Sequence, residues 1–321
     1  MAQKAYKKPP SLFFCEQSVP CRTMAAKRTP IIELFRKFYY QIRNHPRVYV
    51  HITNRRYKIK ESLFPKDPLI SEIISSLRQN GIAQVDVSNL FGPKKLDSLT
   101  YWVREKESEL EIDKKKSFFL NYGIFCPPFR AELNSNPFVQ FYLEKKFLQI
   151  ATAYLGYIPL LHTVEIRKTL PVGDAKPSAS QKWHRDPEEK RILKIFLYLS
   201  DVDLGSGPFT YIVGSNPTSK GPWSRRFPQK LPHGVYPDAN LVEKFTQPGD
   251  LLEATAPMGT IIFCDTAGLH RGGYATKNER IMATGFYSSF KYSELPPEFT
   301  AKKVKGQVSK LDEVREIVSG N

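Results

Sequence analysis

The chain has 321 residues, of which 41% are hydrophobic and 12% aromatic, and its formal net charge is +16. This hydrophobic fraction is enough for a buried core and excludes a chain that is disordered throughout. The sequence contains no run of 18 apolar residues, so no transmembrane helix is predicted. The four cysteines lack the spacing of a zinc site or a disulfide scaffold. We therefore expect a reducing compartment and a cytoplasmic protein, with an organelle transit peptide left open.

The positive charge is concentrated near the N-terminus. Residues 1–67 contain 15 Lys/Arg and 4 Asp/Glu, a net charge of +11, which leaves +5 of the total +16 for the rest of the chain. This basic segment is interpreted either as a solubilising arm or as a surface for a polyanion or an anionic membrane. Residues 1–29 are predicted to be flexible, and apolar residues at helical spacing between 31 and 42 predict a helix.

Helix and strand signals alternate in the next part of the chain. Asp67 and Pro68 have the residue types of an N-cap and a first helical position, and Gly81 has that of a C-terminal stop. Ile82–Val87 alternates between apolar and polar residues and is predicted to be a strand.

Two more helices precede a long β region. One has apolar residues between 96 and 103 on one face, and the other is predicted over Pro137–Leu155, with Asn134 to Asn136 as capping candidates and Gly156 as its end. From residue 158 to about 289, short apolar runs are separated by turn residues. These runs predict the strands His162–Arg167, Ile192–Leu199, Phe209–Val213, Thr260–Cys264 and Arg280–Tyr287.

This order of elements predicts an α+β fold with a double-stranded β-helix core, a jelly roll of the cupin type, and flanking N-terminal helices. We expect one domain over 30–290, with helical support over 30–156, the jelly roll over 157–290, and a tail over 291–321. The segment 214–250 contains six prolines and little periodicity, so it is predicted to be a lid or substrate loop. Trp223, Arg225 and Arg226 in that loop, and Arg167 on an earlier strand, are either contacts for an anionic substrate or ordinary surface residues.

Two histidines and one aspartate lie in a context that indicates metal binding. His184 and Asp186 are two residues apart on an extended segment, so their side chains point to the same side. His270 follows an apolar strand at a glycine-rich turn, and a β-sandwich could bring it opposite that pair. Two histidines and one carboxylate on one face of a metal form the facial triad of non-haem Fe(II) oxygenases.

Arg280 follows His270 by ten residues and adds a cation at a strand position. Strand alternation places Arg280 and Thr284 on one face. A guanidinium binds a carboxylate through two parallel hydrogen bonds, and an Fe(II) site of this kind commonly holds 2-oxoglutarate, whose far carboxylate needs such a cation. Arg280 is therefore predicted to bind 2-oxoglutarate, with the Thr284 hydroxyl as a helper. The alternative is a turn-capping aspartate, two ordinary histidines and a surface arginine.

Residues from about 81 to 289 resemble the phytanoyl-CoA dioxygenase-like group of Fe(II)/2-oxoglutarate oxygenases. The matching segments are Gly81–Val85, Tyr154–Gly156, Trp183–Asp186, Lys194–Val202, Gly207–Phe209, Gly214-Ser215, and Gly259–His270 with Arg280. The resemblance covers about two thirds of the chain. One departure is Asn216, which stands where the group often has a histidine that is not an expected iron ligand.

The resemblance implies an iron site formed by His184, Asp186 and His270. It also implies that Arg280 binds 2-oxoglutarate and that Lys194 and Tyr198 line the cosubstrate pocket. With Fe(II) and the cosubstrates 2-oxoglutarate and O₂, the implied reaction hydroxylates a small molecule and releases succinate and CO₂. Related halogenases replace the carboxylate with a small residue, so Asp186 favours hydroxylation or another oxidation. An anionic substrate such as an acyl-CoA, a sugar nucleotide or a carboxylic acid is expected.

Two other functions stay open. A nucleic-acid oxygenase of the same superfamily would use residues 1–67 as a phosphate-binding arm, although no nucleic-acid-binding module is recognised there. A non-catalytic jelly-roll binding protein would contain the motif by chance. Among partners we expect a small-molecule substrate and no nucleic acid. Peripheral membrane contact through the basic segment stays open, and the oligomeric state is not predicted.

Overall fold

A computed structural model of the protein describes residues 67–107, 111–112, 119–125, 136–156, 159–172, 179–186, 189, 191–219 and 237–288. All of them belong to the second of the two units into which the chain divides between Tyr49 and Val50. The predicted flexible segment 1–29, the predicted helix near 31–42, and Trp223, Arg225 and Arg226 lie outside the described residues. Within the described part, no helix combines the length and apolar character needed to cross a membrane.

The helices are Pro68–Asn80 (α1), Val87–Phe91 (α2), Lys94–Glu107 (α3), Pro137–Tyr142 (α4), Lys145–Leu155 (α5) and Ala239–Phe245 (α6). The strands are Ile82–Asp86 (β1), Glu111–Ile112 (β2), Phe119–Phe125 (β3), Leu160–Thr169 (β4), Leu193–Tyr198 (β5), Thr210–Ile212 (β6), Leu251–Glu253 (β7), Thr260–Asp265 (β8), His270–Arg271 (β9) and Arg280–Ser288 (β10).

The strands form two antiparallel sheets. The major sheet has the order β1-β8-β5-β10-β4-β3-β2, and the minor sheet has the order β7-β6-β9. One cluster of buried side chains joins the facing sides of both sheets, with Phe196 and Tyr198 from β5, Ile262 from β8 and Tyr211 from β6. This is an α+β fold with a cupin-like jelly-roll core and preceding helices, which confirms the predicted fold class.

Helix α1 has the predicted caps. The Asp67 carboxylate accepts hydrogen bonds from the backbone N–H groups of Leu69 and Ile70 at 2.9 and 3.3 Å. Gly81 ends the helix with a φ of 77°, a left-handed conformation that glycine adopts without a steric penalty. The caps satisfy backbone groups at both ends of a helix whose apolar face is buried.

The predicted continuous helix over Pro137–Leu155 is wrong, because the chain breaks between α4 and α5. Glu144 has an extended backbone conformation with ψ of 140°, so the helix cannot continue through it. In one continuous helix Phe141 and Phe147 would point about 120° apart. The break lets both rings pack on Phe91, at centroid distances of 5.4 and 4.9 Å.

Strand β3 and helix α6 are among the regular elements that were not predicted. Strand β3 pairs with β4 at the side of the major sheet, although its sequence does not alternate between apolar and polar residues. Helix α6 lies inside the segment 214–250 that was expected to lack regular structure. Its Val242 is buried with Trp183, Ile212 and Leu269, but an apolar face this short has no detectable periodicity.

Candidate metal centre

Backbone pairing brings the three predicted ligands together. The His184 N–H donates to the His270 carbonyl at 2.9 Å, and the His270 N–H donates back at 3.0 Å. The Asp186 N–H donates to the carbonyl of Thr266, in the turn before β9, at 2.9 Å. As a result, one potential ligand atom from each of His184, Asp186 and His270 lies within 4.8 Å of the other two.

Both imidazole rings are held through Nδ1. His184 Nδ1 lies 2.8 Å from the carbonyl oxygen of Lys182, and His270 Nδ1 lies 3.0 Å from that of Gly268. A carbonyl accepts only from a protonated nitrogen, so these contacts assign the proton to Nδ1 in the neutral rings. The Nε2 atoms then face Asp186, at 3.8 Å from Oδ1 for His184 and 3.9 Å from Oδ2 for His270.

The electrostatic environment favours the protonation states that bind metals. Burial, together with the smaller effect of the nearby His184, lowers the pKa of His270 to about 3. Burial also lowers the pKa of His184. Burial raises the pKa of Asp186, but Lys194 and the two histidines outweigh this effect and hold the pKa below its usual range. Neutral imidazoles and an ionised carboxylate are the forms that ligate metal ions.

Lys194 on β5 contacts the triad directly. Its Nζ lies 2.6 Å from Asp186 Oδ2 and 5.3 Å from the centroid of the Phe286 ring. The sequence predicted a cosubstrate-lining position for Lys194 but did not reveal this ion pair, because the two side chains meet only through the fold.

Arg280 lies at the start of β10 with only 3% of its surface exposed, so it is not the surface arginine of the alternative interpretation. Its guanidinium donates to the carbonyl of Gly207 and lies 3.5 Å from the Thr169 hydroxyl, while its Nε has no hydrogen-bond partner. Among the described residues, no carboxylate lies within ion-pair distance. Burial lowers the pKa of Arg280, but a guanidinium stays charged in proteins.

Gly207 makes this contact by bringing its backbone close to the loop before β10. It has a φ of 67°, and a Cβ at this position would lie 2.5 Å from the backbone nitrogen of Ala275. Only glycine fits such a conformation and such a close approach. The Gly207 carbonyl is thereby held where Arg280 can donate to it.

Phe209 and Tyr198 connect the triad with Arg280. The Phe209 ring lies 5.6 Å from the His270 ring, and its backbone N–H donates to the Tyr198 hydroxyl at 3.2 Å. Burial raises the pKa of Tyr198, and the nearby positive charge of Arg280 partly offsets this effect. Phe209 was part of a predicted strand and of the family resemblance, but neither signal singled out its ring.

Thr284 and Arg167 lie on the same face of the major sheet as Arg280. In the β4–β10 pairing Thr284 is opposite Glu165 and Met282 is opposite Arg167, and directly opposed side chains share a face. The Arg167 guanidinium lies 2.9 Å from the Glu165 carboxylate, so this cation has a partner on its own strand. Its predicted role in substrate binding stays a prediction.

No protein-family model matches the sequence. No curated protein matches it either. Among solved structures, the chain resembles EctD from S. alaskensis with 2-oxoglutarate and 5-hydroxyectoine, at 16% identity and a TM-score of 0.50, over 74% of this chain and 85% of that one. It also resembles the epimerase SnoN in complex with Fe³⁺, α-ketoglutarate and nogalamycin RO, at 17% identity and a TM-score of 0.47, over 70% and 85% of the two chains. These neighbours are 2-oxoglutarate-binding jelly-roll proteins, and at such identities the likeness shows the fold alone.

Proposed function

We propose that this chain is a non-haem Fe(II) enzyme that uses 2-oxoglutarate and O₂ to hydroxylate a small molecule. The observation that carries the proposal is the convergence of His184, Asp186 and His270 within 4.8 Å. The ligand types of this triad are those of the 2-His-1-carboxylate facial site of non-haem iron enzymes.

The residues present fit Fe(II). Each histidine is neutral and directs Nε2 towards Asp186, and the carboxylate is ionised. The carbonyls of Lys182 and Gly268 fix the ring orientations, which is the usual task of outer partners in metal sites. When bound there, Fe(II) would supply the oxidative chemistry that consumes O₂ and 2-oxoglutarate and yields succinate and CO₂.

The residues also fit a dicarboxylate cosubstrate. Arg280 is a buried cation whose partners are neutral, and an unpaired buried charge costs several kcal/mol. A carboxylate of 2-oxoglutarate would compensate that charge, and its geometry suits the guanidinium fork. Tyr198 contacts Arg280, and Thr284 presents a hydroxyl on the same face of β10. Lys194, at the metal end of this face, would orient the opposite end of the cosubstrate.

Aromatic side chains separate the metal triad with Lys194 from Arg280. The Phe196 and Phe209 rings lie 4.7 Å apart, and both are buried between the sheets. Their task in this proposal is to exclude water, because charge–charge attraction is stronger in a site of low dielectric constant.

The substrate class and the type of oxidation are inferred from sequence features. Membership of the phytanoyl-CoA dioxygenase-like group is supported by the sequence resemblance, and hydroxylation is supported by the carboxylate at Asp186. An anionic substrate is supported by the basic residues Arg225 and Arg226 near Trp223 in the segment 214–250. The triad of His184, Asp186 and His270 is compatible with other oxidations, and analysis of the product would distinguish them from hydroxylation.

The test is an anaerobic titration of the metal-free protein with Fe(II) and then 2-oxoglutarate. We expect a visible metal-to-ligand charge-transfer band in the wild type and a much weaker band at equal 2-oxoglutarate concentration in Arg280→Ala. Arg78→Ala, which removes an exposed arginine of α1 that donates to the Ala153 carbonyl, is the matched control and should leave the band unchanged. A correctly folded wild type without a band would contradict the proposal and favour the non-catalytic binding protein.

A further inference from the structure

We propose that Asp265 is a positioning residue for the metal centre and that Tyr154 and Asn216 hold its carboxylate in place. The inference rests on the proposed function, because it concerns how the chain keeps three metal ligands in register. It assigns a task to three buried polar residues that contact neither the triad side chains nor Arg280.

The Asp265 carboxylate is buried and accepts four hydrogen bonds. Oδ1 accepts from the backbone N–H groups of Ile192 and Ala267 at 3.0 and 3.1 Å. Oδ2 accepts from the Tyr154 hydroxyl at 2.5 Å and from the Asn216 amide at 3.3 Å. The residue is 0% exposed, so these four donors replace water as its partners.

These donors come from four different parts of the fold. Tyr154 belongs to α5, Asn216 follows β6, Ile192 directly precedes β5, and Ala267 lies in the turn between β8 and β9. One carboxylate therefore fastens that turn to a helix, to a loop of the minor sheet and to a strand of the major sheet. Losing one partner of a buried charged group leaves the others poorly satisfied, so the network is sensitive to single substitutions.

The turn that Asp265 fastens contacts Asp186 and His270 directly, and it is linked to His184 through His270. The carbonyl of Thr266 accepts from the Asp186 N–H at 2.9 Å, and the carbonyl of Gly268 holds His270 Nδ1 at 3.0 Å. His270 in turn pairs with His184 through two backbone hydrogen bonds. A small displacement of this turn would therefore move the ligand atoms relative to one another.

Arg185, between two of the ligands, secures the same turn from the other side. Its Nη1 donates to the carbonyls of Ser215 and Ala267 at 2.6 and 2.9 Å. The Ser215 hydroxyl accepts from the Leu269 N–H at 2.7 Å. The Arg185 guanidinium is also a half-buried cation that interacts electrostatically with Asp265.

The position of Asn216 explains the departure from the family resemblance. Its side chain is fully buried, and its amide donates towards both Asp265 and the Tyr154 hydroxyl, each at 3.3 Å. Asn216, which replaces the group's frequent histidine, therefore helps to hold the turn between β8 and β9 in place. No substrate contact is needed to account for it.

The decisive experiment compares two tyrosines that each lose one buried hydroxyl. Tyr154→Phe removes the donor to Asp265, whereas the control Tyr287→Phe removes a hydroxyl that donates to the Tyr142 carbonyl at 2.5 Å. Fe(II) affinity is measured anaerobically by competition with a chelator, and the melting temperature is measured on the metal-free proteins. We expect both variants to melt a few degrees lower, and only Tyr154→Phe to bind Fe(II) about 10–100-fold more weakly, the usual effect of losing an outer partner.

Asp265→Asn is the second variant and should weaken Fe(II) binding in the same direction, because its amide would face the Asn216 donor. If Asp265→Asn does not fold, the comparison of the two tyrosine variants still tests the positioning role. Equal Fe(II) affinity of Tyr154→Phe and wild type would overturn the positioning role and leave the proposed function intact. An equal loss in Tyr287→Phe would also overturn it, since general loosening would then explain the effect. A folded wild type that binds no Fe(II) would instead refute the proposed function on which the inference rests.

Discussion

The interior between the two sheets has opposite charges at its two ends, and these charges are compensated unequally. At one end, the Asp186 carboxylate has Lys194 at 2.6 Å and two neutral imidazoles nearby. At the other end, the described partners of Arg280 are the Gly207 carbonyl, the Thr169 hydroxyl and Tyr198, and none of them is a carboxylate. The carboxylate end thus has an internal cation that a metal ion must compete with, whereas the arginine end has no internal anion. The difference indicates that a ligand carboxylate contributes most to binding affinity when it pairs with Arg280.

The largest effect is expected from removing the negative charge of the first end. Asp186→Asn keeps the shape of the side chain but presents a neutral amide to the metal, so Fe(II) affinity should fall by more than about 100-fold, beyond the loss caused by an outer partner. Asp201→Asn makes the same chemical change at an exposed side chain that accepts from the Met258 N–H, and it should bind Fe(II) normally. Chelator competition measures both, and retained affinity in Asp186→Asn would refute the assignment of this ligand.

A smaller effect is expected at the second end, and on a different ligand. Arg280→Met should weaken 2-oxoglutarate binding by about 10–100-fold, because charge-assisted hydrogen bonds contribute about 1.5–3 kcal/mol. Fe(II) affinity should not change. The melting temperature without ligand should not fall, since replacing an uncompensated buried charge by an apolar side chain is often neutral or stabilising.

Isothermal titration and thermal melting test this pair of expectations. Arg280→Lys, which keeps the charge without the fork, should bind 2-oxoglutarate with intermediate affinity. A clear drop in the melting temperature of Arg280→Met would show that the guanidinium is stabilised by its neutral partners alone.

The smallest effect is expected for Lys194→Met, and it is a rise in Fe(II) affinity rather than a loss. Lys194→Met removes the cation that neutralises Asp186, so a metal ion no longer competes with it for the carboxylate. Fe(II) affinity should therefore rise by up to about tenfold, which corresponds to about 1.4 kcal/mol. Chelator competition measures this change. A fall in affinity would mean that Lys194 orients Asp186 rather than competing for it.

Local sequence signals predicted the elements that local interactions determine. Asp67 and Gly81 marked the ends of α1, because capping depends on hydrogen bonds and backbone conformations within a few residues. Strand alternation placed Arg280 and Thr284 on one face, since side-chain direction is a property of the strand itself. The spacing of His184 and Asp186 likewise indicated a shared direction before any contact was known.

Signals of this kind did not reveal features that depend on distant partners. The break at Glu144 follows from the packing of two rings on Phe91, about 50 residues earlier in the chain. The roles of Asp265 and Tyr154 were invisible for the same reason, because they are 111 residues apart in sequence. Asn216 appeared in the sequence only as a departure from a familial pattern.

The sequence by itself therefore determined the class of fold, the residue types of a candidate iron site and the likeness to a group of oxygenases. Periodicity, capping and motif spacing are local quantities, and they are sufficient for those conclusions. Only the tertiary structure decided that the three ligands converge, that Arg280 is buried among neutral partners and that Lys194 neutralises Asp186. These features arise from backbone pairing between distant segments and from burial, and both exist only once the chain has folded.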